Sequence, residues 1–174
     1  MLFGVVGAIF GSVANAVIYR VPLSLSWWNG KSMCPKCKHE LGWKDLIPVV
    51  SYIALRGRCQ YCHSPIAIRY LVVELIMSIG LAVLSYQFSV YSLILMAILW
   101  TTVVIAAMDW ETKLVSDRLV GAWAILVISY QLSVNSWSLN SSIVGLVVAV
   151  GLIGGIWAVT KGKGMGFGDV EIAA

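Results

Sequence analysis

In this chain the apolar residues gather into long runs, and the charges are pushed to the ends of those runs. Five stretches, 2–19, 70–88, 91–109, 119–134 and 142–160, reach or approach the roughly 20 apolar residues that a helix needs to cross a bilayer. Lipid offers a backbone no hydrogen bonds, so each such stretch is expected to be helical. Composition agrees: 60% of the 174 residues are hydrophobic and 11% are charged, where a soluble domain carries about 25% charged residues. The sequence therefore predicts an all-α polytopic membrane protein of five transmembrane helices. A truncated sixth is expected to begin at Val170 and to be cut off at Ala174. The first run lacks a basic leader and a small-residue cleavage site, so it is expected to be a retained span. Gly7/Gly11 and Gly151/Gly155 have the four-residue spacing that permits close helix contact in lipid, and packing is their expected role.

The basic residues orient this arrangement. Arg20, Lys31, Lys36, Lys38, Lys44, Arg56, Arg58 and Arg69 lie in or beside the loop between the first two spans. Lys113 and Arg118 lie between the third and fourth, and Lys161 and Lys163 follow the fifth. With alternating spans, all twelve basic residues fall on one side. The loops near Ser89 and across 133–141 carry no charge. Loops rich in Lys and Arg stay cytoplasmic, so the amino terminus is expected outside and the basic loops inside. The net charge of +4 is thus a topology signal. It calls for no nucleic-acid partner; the lipid bilayer is the expected one. A transport role has no support, because no charge sits mid-span.

Residues 21–69 form the one sizeable polar segment. It carries Cys34-Pro-Lys-Cys37 and Cys59-Gln-Tyr-Cys62, separated by 21 residues, just beyond the usual range for paired zinc knuckles. Each pair can turn two thiolates towards one ion, and two such knuckles complete a closed tetrahedral site. Two disulfides are the alternative, but a cytoplasmic loop keeps its thiols reduced. His39 and His63 could substitute as ligands, although four cysteines already fill the shell. Such a site has no open position for chemistry, so zinc is expected to fold a loop that would be marginal without a staple.

Acidic residues collect at the same side. Asp109 closes the third apolar run, Asp117 opens the fourth and Asp169 opens the truncated sixth, within Gly166-Phe167-Gly168-Asp169. A charge at bilayer depth is costly and marks a functional site by default. Glycines beside it remove side chains, so another backbone can approach closely. Two carboxylates sharing a water would make an aspartyl protease: one takes a proton from the attacking water, the other donates to the scissile carbonyl. Like charges in proximity split their titrations, and the pair behaves as a unit. Plainer roles are a helix cap for Asp117, a solvated loop position for Glu111, an interfacial end position for Asp109, and a cap for Asp169 with Gly166 and Gly168 as turn residues.

Taken together, these residues are similar to those of the bacterial type IV prepilin peptidases, also called leader peptidase/N-methyltransferases. The resemblance rests on Gly11-Ser12-Val13-Ala14-Asn15 through Arg20-Val21-Pro22, the four cysteines, Trp43 through Ile47-Pro48-Val49-Val50-Ser51-Tyr52, Arg69-Tyr70 with Glu74, Asp109, and Asp169 in its Gly-x-Gly-Asp motif. It implies Asp109 and Asp169 as the catalytic aspartates, Gly166 and Gly168 as the active-site loop, and Cys34, Cys37, Cys59 and Cys62 as zinc ligands. It implies cleavage of a short basic leader from type IV prepilins or pseudopilins after a glycine, then N-methylation of the new amino terminus from S-adenosylmethionine. It places the protein in the bacterial cytoplasmic membrane with site and zinc loop facing the cytoplasm.

The expected division is 1–20 as the first span, 21–69 as the zinc loop with the methyltransferase region, and 70–174 as a peptidase domain truncated at its carboxyl end. The acidic rim of Asp109, Glu111, Asp117, Asp169 and Glu171 would draw in a basic leader. Departures from the family pattern are Ser116 in place of a proline, Glu171 where a basic residue often stands, and Lys163 near where an acidic one does. The alternatives are a peptidase without methyl transfer, and a non-enzymatic membrane scaffold whose zinc loop docks a partner.

Overall fold

The computed structural model describes residues 2–26, 30–113 and 116–134, together with Val147. Five α-helices follow in order: α1 (Leu2–Arg20), the short α2 (Val50–Ala54), α3 (Ile68–Leu84), α4 (Val90–Thr112) and α5 (Asp117–Val134). Single 3-10 turns occupy Trp43–Leu46 and Ser85–Gln87. The chain divides into two units, 1–126 and 127–174. Of the second, the end of α5 and Val147 are described.

Four of the five expected apolar stretches are helices here. By length and composition, α1 and α4 could each cross a bilayer. The stretch 142–160 and the segment from Val170 lie outside the described residues. α4 starts at a reciprocal cap: the Ser92 amide donates to Ser89 Oγ at 3.3 Å and the Ser89 amide to Ser92 Oγ at 2.8 Å. It stops where Lys113 turns left-handed, at φ 54°, and its amide donates to the Asp109 carbonyl at 3.0 Å. The helix thus runs one turn past Asp109, beyond the end of the apolar run. Polar side chains inside α4 turn back on their own helix, Thr101 Oγ1 donating to the Ala97 carbonyl at 2.9 Å and Thr102 Oγ1 to Ile98 at 2.7 Å. That satisfies their hydroxyls without a solvent partner.

α1 and α3 pack so closely that no side chain fits between them at two positions. A Cβ on Gly7 would run into the Met77 carbonyl, and one on Gly11 would lie 2.6 Å from Glu74 Cα. The Gly7/Gly11 spacing is therefore a packing seam, as its sequence suggests. Ser78 Oγ donates to the Gly4 carbonyl at 2.8 Å and Asn15 Nδ2 to the Tyr70 carbonyl at 3.0 Å, tying the two helices at both ends of the seam. Trp100 Nε1 of α4 reaches the Phe10 carbonyl at 3.1 Å, and Trp123 Nε1 of α5 reaches Thr102 Oγ1 at 2.9 Å.

The buried core is Ala14, Val17, Ile18, Val73, Val104 and Met108, with Trp100, Ala107 and Leu119 packed against it. It sits at the end of the helices that carries the basic loops. Away from it, large apolar side chains face outward, among them Val5, Ile9, Ile79, Val83, Leu93 and Ile125. In water such a surface is a liability, and in lipid it is the expected one.

Candidate metal centre and membrane carboxylate

Between α1 and α3, on either side of the short α2, the chain makes two copies of one small motif. In the first, the Cys34 amide donates to the His39 carbonyl at 3.0 Å, the Lys38 amide to the Cys34 carbonyl at 2.9 Å, and Met33 bridges Glu40. In the second, the Cys59 amide donates to the Ser64 carbonyl at 2.9 Å, the His63 amide to the Cys59 carbonyl at 2.9 Å, and Arg58 bridges Pro65. The residue after each second cysteine, Lys38 or His63, is left-handed at φ 59° or 55°. That is uncommon for a residue other than glycine and makes the tight turn that points both thiols the same way.

The two motifs face each other. All four thiols are free, and their sulfur atoms lie within 4.8 Å of one another. Cys34 Sγ and Cys62 Sγ are 3.9 Å apart. Four thiolates at about 2.3 Å from one tetrahedral ion stand close to this far apart, so the donor set fits a metal. Cys34 and Cys59 are buried while Cys37 and Cys62 are exposed. Burial pushes the Cys34 thiol up, but hydrogen bonds from the Cys37 and Lys36 amides and the neighbouring thiols outweigh it and bring it down to about 6. For Cys37 the His39 amide pulls down, yet burial and the thiols of Cys34 and Cys62 push it up to about 11. One thiol is thus readily a thiolate while its neighbour holds its proton, an arrangement a cation would resolve. His39 is outside this group of donors. It stacks on Tyr61, ring centroids 3.6 Å apart, and braces one motif against the other.

Asp109 lies in the last turn of α4, half-buried, beside core residue Met108. Asp169, Gly166 and Gly168 lie outside the described residues, so its expected partner is not placed. Asp117 is the first residue of α5. The Ser116 carbonyl accepts from the Leu119 and Val120 amides at 2.8 and 3.1 Å, which makes Ser116 the capping position and puts the Asp117 charge in the first turn. The cap expected at Asp117 is therefore shifted by one residue. Glu111 is exposed as expected, but it sits in the last turn of α4 and not in a loop, and it forms an ion pair with Arg69 at the start of α3. Its charge is thus partnered by Arg69.

Two linkages have no local signature in the sequence. Glu74, 8% exposed, accepts the Val49 amide at 2.7 Å and ties the loop to α3. Val49 has φ 63° and ψ −50°, and the Val50 amide donates to the Pro48 carbonyl at 2.6 Å, a strained γ-turn. Asn15, 2% exposed, donates its side-chain amide to the Tyr70 carbonyl, and its Oδ1 has no partner among the described residues. A lone Glu in an apolar run was visible; a backbone amide as its partner was not.

Fold and site together define a mostly helical protein with helices fit for a membrane, a four-thiol cluster on a loop, and an acid at the end of a long apolar helix. Family comparison gives this class a name. Residues 5–88 match the bacterial peptidase A24 N-terminal domain, and residues 95–174 match the type IV leader peptidase family. The chain belongs to the type IV leader peptidase family. It is 32% identical to a prepilin leader peptidase/N-methyltransferase of Pseudomonas putida, over 98% of this chain and 69% of that protein. Proteins of the same name from Vibrio cholerae and Klebsiella pneumoniae are 31% and 30% identical, over 83% and 97% of this chain and 61% and 79% of theirs. No solved structure matches the chain.

Proposed function

We propose that this chain is a membrane-embedded aspartyl endopeptidase that removes the short basic leader of type IV prepilins or pseudopilins at the cytoplasmic membrane face. The observation that carries the reading is the half-buried Asp109, held in the last turn of α4 inside the segment that matches the leader peptidase family. Asp109 and Asp169 are the proposed catalytic pair. One carboxylate takes a proton from water as it attacks the scissile carbonyl; the other donates to the carbonyl oxygen and then to the leaving amine. Gly166 and Gly168 let the substrate backbone approach Asp169.

Residues 1–20 are the first of five spans, 21–69 the cytoplasmic loop, and 70–174 the peptidase domain. Zinc held by Cys34, Cys37, Cys59 and Cys62 stabilises the loop. Methyl transfer to the new amino terminus is proposed from the name of the relatives; S-adenosylmethionine is its donor, and no residue of this chain is assigned to it.

The test is cleavage of a synthetic prepilin peptide by the chain in liposomes, followed by mass spectrometry with and without S-adenosylmethionine. Cleavage that falls about a thousandfold or more in both Asp109→Asn and Asp169→Asn is expected. Cleavage that survives either change overturns the assignment. A product heavier by one methyl group, only with the donor, marks the second activity; its absence leaves a peptidase alone.

A further inference from the structure

The loop carries an exposed surface that meets the metal cluster only where Cys59 lines the same cavity as Arg56 and Arg58. Trp43 is 73% exposed, Val50 59% and Ile53 64%. Val50 and Ile53 are three residues apart on α2 and so share one face. The other side of α2 is held to the loop, where the Gly57 amide donates to the Tyr52 carbonyl at 2.9 Å and Tyr52 Oη to the Ile66 carbonyl at 3.4 Å. Cations flank the apolar side chains. The Lys44 ammonium stands 5.5 Å from the Trp43 ring centre. Arg56 and Arg58 line a shallow cavity of about 570 Å³ that Ala54 of α2 also lines.

The depth of this segment follows from the hydrogen bond at its start. Glu74 is four residues inside the apolar run that begins at 70, about 6 Å along the axis of α3 at 1.5 Å per residue. By taking the Val49 amide, it draws the residue preceding α2 to that level. An interfacial amphipathic helix buries its apolar face to about 5–10 Å. The loop is also tethered at both ends to apolar helices, α1 and α3. An aromatic ring, two aliphatic side chains and three cations on the segment anchored at that level complement the anionic headgroups of a cytoplasmic leaflet.

We propose that residues 43–58 form a lipid-binding foot. Trp43, Val50 and Ile53 enter the headgroup–acyl boundary of the cytoplasmic leaflet, while Lys44, Arg56 and Arg58 bind the phosphates of anionic phospholipids. The foot holds the zinc loop flat on the membrane beside the end of α4. This inference rests on the membrane orientation given under the proposed function.

Hydrogen exchange on the full chain in nanodiscs tests it, with phosphatidylglycerol-containing and pure phosphatidylcholine bilayers compared. Amides of residues 43–55 are expected to exchange about tenfold or more slowly in the anionic bilayer. The difference should vanish in the Lys44→Gln/Arg56→Gln/Arg58→Gln variant while zinc content is unchanged. A photoreactive benzoylphenylalanine in place of Ile53 should form adducts with lipid. Equal exchange in both bilayers overturns the proposal, as do adducts to protein, or none, from a zinc-loaded chain. Protection of α1 and α4 is the internal control: if they too exchange freely, the membrane reading has failed; if they are protected and 43–55 is not, only the foot has.

Discussion

Glu74 and Val49 show how much one residue contact decides here. A Val at φ 63° is strained, at a cost of about 1–3 kcal/mol, and persists only where its surroundings hold it. The carboxylate of Glu74 is that restraint. Glu74→Leu should lower stability by about 2 kcal/mol, because it strands the Val49 amide, whereas Glu74→Gln keeps an acceptor and most of the stability. Urea unfolding in detergent micelles measures both. Gly11→Val tests the helix seam: its Cβ would lie 2.6 Å from Glu74 Cα, a backbone atom that has nowhere to go. A loss of about 1–3 kcal/mol or more is expected in the same assay.

At this scale the sequence was half legible. The glycine seam could be read from spacing, and the place of Asp109 near a helix end from the end of an apolar run. The partners of Glu74, Glu111 and Asn15 could not, because each lies across the fold on another element: the Val49 amide, Arg69 and the Tyr70 carbonyl.

Among the elements, the loop depends most on something other than hydrophobic burial. Its buried apolar side chains are few, and the four thiols at its centre replace a core. Substituting Ser for Cys34 or Cys59 is expected to abolish retention of zinc on gel filtration and to open residues 31–66 to protease, leaving α1 and α4 protected. Acid should act in the same direction. In the metal-free loop the two shifts oppose. The Cys34 thiol, brought down to about 6, adds stability that is lost as the pH falls from 9 towards 6. The Cys37 thiol, pushed up to about 11, adds stability below pH 9 that is lost as the pH rises towards 11, whereas zinc takes both as thiolates. Zinc affinity should therefore fall with pH by about tenfold per unit for each thiol still protonated, measured by competition with a chelator. The Cys-x-x-Cys spacing announced this cluster because a knuckle is local. That His39 stacks on Tyr61, while no histidine joins the cluster among the described residues, required the two motifs to be folded face to face.

For the whole molecule, the prediction concerns sidedness. Reporter fusions at residue 40 and residue 113 should read as cytoplasmic, and a fusion at residue 88 as external, because the basic residues flank the first two positions and none flanks the third. The reverse pattern at any of the three would overturn the orientation. Among the described residues, hydropathy determined where the four long helices run, because a long apolar stretch satisfies its backbone locally as a helix. Cysteine spacing determined that a metal cluster could form, because each knuckle closes within a few residues. The tertiary structure decided what those elements touch. It showed that α1 and α3 are fused along a glycine seam, that the loop is pinned to α3 by one buried carboxylate, and that Glu111 answers Arg69. Such contacts join residues 25 to 74 positions apart, and a spacing that marks a seam does not name the partner across it.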